Sequence, residues 1–275
     1  HAMTIGGISV IIAILLIFFY LLYVVFPLLL PAKIEAGQRF AMPASDAGKT
    51  LYLATEEKNQ LAMRLTDTGH LIFFTLQDGA VLQNLTLPIP QGIAITALGA
   101  AEPTTGVLAL GLSNGHALVI KHEYSVSYPN GKREITPKLS YPLGETTIAI
   151  DQQGQPLTAL DIQGSAESAT LTAVTTDHRV VMVSVHKQES LLDDSVTLEQ
   201  QQVVLPLQNG ELDFILLSKD QRTLYVASKT GDVINFNISD KSAPSLARRV
   251  RVIPTEQKIT AISFLTGDIS LLIAD

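Results

Sequence analysis

Six histidines are the first place to look for catalysis or metal binding in this 275-residue chain. His116 and His122 fall in and just after one apolar run, an even number of residues apart, so a strand would point both side chains to the same face. That separation is too long for neighbouring ligands on a strand, and the pair reads as solvent or core histidines. Glu56-Glu57 and Asp193-Asp194 are acidic pairs without the glycine-bearing loop that calcium sites use, and they read as solvated loops. The densest positive cluster runs from Ala247 to Val252 and contains Arg248, Arg249 and Arg251. On an extended strand Arg249 and Arg251 share a face and Arg248 points the other way, so Arg249 and Arg251 form the candidate anion contact. The competing reading is an edge strand whose charges block further pairing. No phosphate-cradling G-x-x-x-x-G-K-[ST], no G-x-S-x-G nucleophile elbow and no H-E-x-x-H zinc helix is present. There is no cysteine, which removes disulfides, thiolate metal sites and cysteine nucleophiles. The residues therefore suggest no catalytic group, no cofactor and no metal site, and the chain is expected not to be an enzyme.

The elements around these residues come in two kinds. From Ala2 to Ala32 no side chain is charged, and Ile5 to Leu30 is almost wholly apolar. At about 1.5 Å per residue, about 20 residues cross a bilayer core, and this run exceeds that. A signal peptide is the main rival, but its apolar region is shorter and ends in small residues, whereas this one ends "VVFPLLLPAK". Tyr20 and Tyr23 sit where an interfacial aromatic belt would place them. Pro27 and Pro31 are expected to end the helix. His1-Ala2 reads as a tag scar.

After Phe40 the period changes. Short apolar runs alternate with turn dipeptides such as Asp78-Gly79, Asn114-Gly115, Asn130-Gly131 and Gly231-Asp232, which supply positive φ cheaply. Passages starting at Ile95, Leu157, Leu212 and Ile259 repeat one order of strand, polar turn, buried strand, tight turn and strand. The buried strands are Val107–Leu112, Leu171–Thr175 and Leu224–Ser228. The third strands are Ala117–Lys121, Val180–Val185 and Val233–Asn237. A weaker first copy begins near Asn59. The spacing is within reach of a roughly 40–50-residue repeat with loop insertions. This is the grammar of β-propeller blades, and the alternative is a single β-sandwich. The expected fold is all-β, a degenerate WD-type propeller without the Trp-Asp dipeptide, preceded by one transmembrane α-helix. The expected divisions are a membrane helix at 1–32, a linker at 33–44 and a propeller-like domain at 45–275. That domain is expected to be cut short inside its fifth repeat. Long insertions at Lys132 to Glu145 and Lys187 to Gln202 are expected to form rim loops suited to protein contacts. The net charge of −7 argues against a nucleic-acid partner.

The stretches "LLIFFYLLYVVFPLL" (Leu15 to Leu29) and "KTLYLATEEKNQLAMRLTDTGHLIFF" (Lys49 to Phe74) resemble the N-terminal part of the long-form phosphate ABC transporter permease of Gram-negative bacteria. The resemblance implies a bacterial inner-membrane protein with residues 33–275 in the periplasm. It also implies partners in phosphate uptake: a second permease subunit, a cytoplasmic ATPase and a periplasmic phosphate-binding protein. The later membrane helices of that family are absent from this sequence, so none of its transport residues can be carried over. The alternative function is a membrane-anchored periplasmic propeller that acts as a scaffold or sensor unrelated to transport.

Overall fold

The computed structural model describes residues 2–29, 39–165, 167–189, 196–207 and 210–275. The chain divides into two units, His1–Phe40 and Ala41–Asp275. In the first, helix α1 spans Ala2–Val25 and a 3-10 turn follows at Phe26–Leu29. The α-helix stops two residues before Pro27, as the steric demand of proline on the preceding residue requires. Gly7–Leu29 is long and apolar enough to cross a membrane, and none of it is buried against protein. Pro31 lies outside the described residues.

The second unit is built from antiparallel four-stranded meanders. Blade I contains β1 (Thr50–Thr55), β2 (Leu61–Thr66), β3 (His70–Thr75) and β4 (Val81–Thr86). Blade II contains β5 (Ile95–Ala100), β6 (Val107–Leu112), β7 (His116–Ser127) and β8 (Glu134–Ser140), with short β9 (Ile148–Ala149) also paired to β7. Blade III contains β10 (Leu157–Gly164), β11 (Ser168–Thr175), β12 (Val180–Glu189) and β13 (Val196–Val204). Blade IV contains β14 (Phe214–Leu217), β15 (Thr223–Ala227), β16 (Asp232–Asn237) and β17 (Ser245–Arg251). A fifth sheet pairs β18 (Ala261–Phe264) with β19 (Leu271–Ala274).

The apolar alternation of the strands explains the stacking. Each pair of consecutive sheets encloses its own core. Phe73 and Leu65 meet Leu108 and Leu118 between blades I and II. Ala109 and Val119 meet Leu160 and Val183 between II and III. Val174 and Met182 meet Leu224 and Phe236 between III and IV. Val233 and Ile259 pack with Ile262 and Leu271 at the last seam. Burying one large apolar side chain contributes about 1.5–3 kcal/mol, so these seams, rather than any single sheet, hold the unit together.

Two expectations are corrected. The first concerns the fourth strands, β4, β8 and β13, which the repeat pattern did not reveal; β17, by contrast, falls on the run at Ala247 to Val252 and is the exposed edge strand that its charges suggested. The stretches 132–145 and 187–202 are not simply rim loops: β8 lies inside the first, and the end of β12 and most of β13 lie inside the second. Residues 190–195, including Asp193-Asp194, are outside the described set. Outer strands face solvent on one side and are polar, so their sequences resemble loops. The second concerns Glu56, which is buried rather than solvated. Its carboxylate accepts the Lys58 and Gln60 N–H groups at 2.8 and 2.7 Å and organises the β1–β2 turn.

A finer repeat marks the turn between the second and third strands. Thr66-Asp67-Thr68-Gly69-His70, Leu112-Ser113-Asn114-Gly115-His116, Thr175-Thr176-Asp177-His178-Arg179 and Ser228-Lys229-Thr230-Gly231-Asp232 are equivalent. The fourth residue of each is left-handed, with φ of 80°, 78°, 64° and 106°. In blades I, III and IV the first hydroxyl accepts the N–H of the fifth residue at 3.0, 3.1 and 3.2 Å. Leu112 replaces that hydroxyl in blade II.

Candidate functional site where the inner strands converge

The first strand of each blade touches the first strand of the next from β5 through β10 and β14 to β18. The close approach of β5 and β10 depends on Gly99. A Cβ there would fall 2.8 Å from the Asp161 Cα and 2.8 Å from the Leu160 carbonyl oxygen. Where the four strands meet, a mouth of 520 Å³ opens, and Glu102, Asp161, Gln163, Lys219 and Asp268 are among the residues that line it.

Each charged group there is tied down by the fold. The Lys219 ammonium pairs with Glu102 at 2.8 Å, which links blade IV to blade II. The Lys219 N–H donates to Asp268 at 2.8 Å, which links blade IV to the fifth sheet. Asp161 is buried, and its two oxygens accept the Ile162 N–H at 2.8 Å and the Leu217 N–H at 2.6 Å, clamping blade III to blade IV. Burial is the largest influence on this carboxyl and outweighs both hydrogen bonds. With the nearby Asp268 adding to it, the pKa is pushed up to about 7. The mouth is thus a rigid recess with mixed charge on its rim and one carboxyl that titrates near neutrality.

A second buried carboxylate behaves differently. Asp151 takes a bidentate grip from Arg179, at 2.8 and 3.0 Å, and Arg179 also reaches Asp177 at 2.7 Å. Burial pushes Asp151 up, but the Arg179 guanidinium and the Gln155 N–H outweigh it and hold the carboxyl below its usual range. This arrangement fastens the segment after β9 to the β11–β12 turn. Neither it nor the Asp161 clamp was singled out in the sequence, since the partners lie far apart in the chain. The Thr175-x-Asp177-x-Arg179 turn is the local signal that could have found half of it.

The residues that the sequence did single out are dispersed. Arg248, Arg249 and Arg251 lie on β17, the outer strand of blade IV, where every residue is exposed. Arg249 approaches Asp232 at 3.6 Å, and Arg251 donates to the Thr230 carbonyl oxygen at 2.6 Å. Arg249 borders an 80 Å³ cavity that also contains Asp232 and Glu211. His116 bonds Thr147 at 3.2 Å, whereas His122 is buried. No group of three or more potential metal ligands is assembled among the described residues.

No protein-family model matches the sequence, and no curated protein does either. Solved structures do. One is the β-propeller domain of Cps50 (Swd1) from Myceliophteria thermophila, with a TM-score of 0.51 and 12% identity, over 88% of this chain. The fold is a β-propeller. The chain spans 65% of the length of that structure, and at this identity the likeness concerns the fold alone. The propeller explains why the inner strands converge, since successive blades radiate from a common axis.

Proposed function

We propose that this protein is a membrane-anchored β-propeller scaffold that docks a protein partner through the rigid rim and mouth of the propeller. The mouth carries this reading. It is a preformed recess whose charged rim is contributed by several sheets and held by hydrogen bonds between them. A recess that the backbone already forms loses less conformational entropy on binding than one that must be assembled. The apolar helix α1 supplies the anchor, and the propeller would lie on the outer face of the membrane. Photo-crosslinking tests the reading. Benzoylphenylalanine placed at the exposed positions Thr104, Ser242 or Thr266 in the full chain, in native membranes, is expected to give a discrete heavier adduct. No adduct at any of the three would overturn it.

The phosphate-permease setting is a narrower form of the same proposal and rests only on the two stretches at Leu15 to Leu29 and Lys49 to Phe74. In that setting the adduct would be the periplasmic phosphate-binding protein or other parts of the permease. Direct phosphate binding by the propeller is not part of the proposal. Calorimetry that detected micromolar phosphate binding, lost on Arg249→Ala and Arg251→Ala, would replace the protein-partner reading.

A further inference from the structure

The ions of the mouth do not balance. Four sheets each send one ionic group to it: Glu102 follows β5, Asp161 lies on β10, Lys219 follows β14 and Asp268 sits in the β18–β19 turn. Three carboxyls thus face one ammonium, and no other lysine or arginine lines the recess. That single cation is already used. Its ammonium holds Glu102, and its backbone N–H goes to Asp268. Neither Asp161 nor Asp268 has an ion-pair partner among the described residues. Asp268 helps to raise the pKa of Asp161, so the two carboxyls lie close enough to feel each other's charge.

Burial makes the deficit matter most at Asp161. The residue is 8% exposed and lines the recess, yet it faces no cation. The Ile162 and Leu217 N–H groups fill one lone pair on each oxygen, and an ionised carboxylate can accept about two bonds more. The strands packed around it bring no charge of their own. β5, β11, β14 and β18 contain no ionisable residue, and Thr172 stands opposite Asp161 on β11. Glu102, Lys219 and Asp268 are therefore the ionic groups that set its surroundings. A positive group entering beside Asp161 would stabilise its ionised form.

The shape of the recess selects the kind of cation. No group of three or more potential metal ligands is assembled among the described residues, so a divalent ion would not find the oxygen donors it needs. A volume of 520 Å³ holds a whole side chain. Leu265, 46% exposed, and Phe264 offer apolar surface at its edge. Lysine and arginine join a long aliphatic stem to a charged head and so match both features.

We propose that the mouth receives a lysine or arginine side chain of the partner protein, with the stem on Leu265 and the charged head between Asp161 and Asp268. The proposal rests on the scaffold reading above and names the chemistry of what docks there. Docking is then tuned by pH. Asp161 gives up its proton near pH 7, so the grip tightens as pH rises through neutrality.

The test uses the full chain in native membranes with benzoylphenylalanine at Thr266, which lines the mouth. Asp268→Asn removes a charge but keeps the turn, because asparagine tolerates the left-handed backbone of that residue, with φ 55°. It should lower the adduct yield about tenfold, as the loss of a charged hydrogen bond implies. Lys219→Ala removes the competing cation and should raise the yield, whereas a merely structural Lys219 would lower it. The yield should also rise between about pH 6 and 8, and Asp161→Asn should abolish that rise. Thermal unfolding monitors all three variants. Mass spectrometry should map the adduct beside a lysine or arginine of the partner. An adduct on a segment without either residue, a yield unchanged in Asp268→Asn, a yield lowered in Lys219→Ala, or a yield that does not rise with pH would overturn the proposal and leave the scaffold reading in place. Absence of an adduct at Thr104, Ser242 and Thr266 alike would overturn both.

Discussion

Arg64 and Asp161 are 3% and 8% exposed, and neither has an ion-pair partner among the described residues. Arg64 projects from β2 under the segment that leads into blade I. Its guanidinium donates to the carbonyl oxygens of Pro43 and Ala44 at 2.9 and 2.7 Å, to that of Gly48 at 2.5 Å, and to the Thr50 hydroxyl at 2.7 Å. Ala44 and Ala47 are drawn onto Ala62, Ile72 and Phe74 beside it. Asp161 is the mirror case, a carboxylate held by two backbone N–H groups. The difference lies in what each group can do with its proton. A guanidinium stays charged at any ordinary pH, so its latch is permanent. A buried carboxyl can take up a proton, so the seam it clamps responds to pH.

Removing the cation should have the largest effect. Arg64→Met keeps the apolar stem but leaves three carbonyls and a hydroxyl without their donor, and should cost about 3–4 kcal/mol by urea unfolding. A loss below about 1 kcal/mol would mean that water replaces the guanidinium freely. Next comes the seam at Asp161 itself. Gly99→Ala forces β5 away from β10 and should cost about 2–3 kcal/mol, and an unchanged unfolding midpoint would contradict the close approach.

The pH response is the third test. The folded-state pKa of Asp161 is raised, so the stability linked to its proton is complete below its unfolded value and is lost as pH rises toward about 7. The pKa of His122 is lowered by burial, so its contribution runs the other way and is lost as pH falls below about 6.5. Subtracting the profile of Asp161→Asn from that of the wild type isolates the carboxyl. The wild type should lose roughly 2–3 kcal/mol relative to the variant between about pH 5 and 8. Parallel profiles would place the Asp161 pKa in the ordinary range. The smallest effect lies away from both charges. His178 occupies the left-handed turn position that glycine fills in three of the four equivalent turns. His178→Gly should gain about 0.5 kcal/mol, the relief of backbone strain being partly offset by the freer unfolded chain.

Strand-forming runs were legible wherever both faces of a strand are buried. Val107–Leu112 was located to the residue, and the runs at Leu171 and Val180 were found at their apolar cores. Of the outer strands, only the arginine-bearing run at Ala247 to Val252 was read as an edge strand, and the others were not. Glu134–Ser140 contains Pro137, and Val196–Val204 contains three consecutive glutamines. Polar composition suits a half-exposed edge as well as it suits a loop, so only hydrogen-bond pairing separates the two. Glu56 was misplaced for a related reason. A carboxylate that caps its own turn looks like any surface glutamate until the Lys58 and Gln60 N–H groups are seen to converge on it.

The sequence by itself determined the apolar helix, the repeating blade order and the left-handed turn positions, because each depends on residues close together in the chain. The stacking order of the seams, the mouth and the two isolated buried charges were decided only by the tertiary structure. Asp161 meets Leu217, Arg64 meets Pro43, and Lys219 meets Glu102 across distant parts of the chain. Local propensity carries no information about such partners. What makes these charges tolerable is burial against backbone donors and acceptors, which exist only once neighbouring blades have closed on one another.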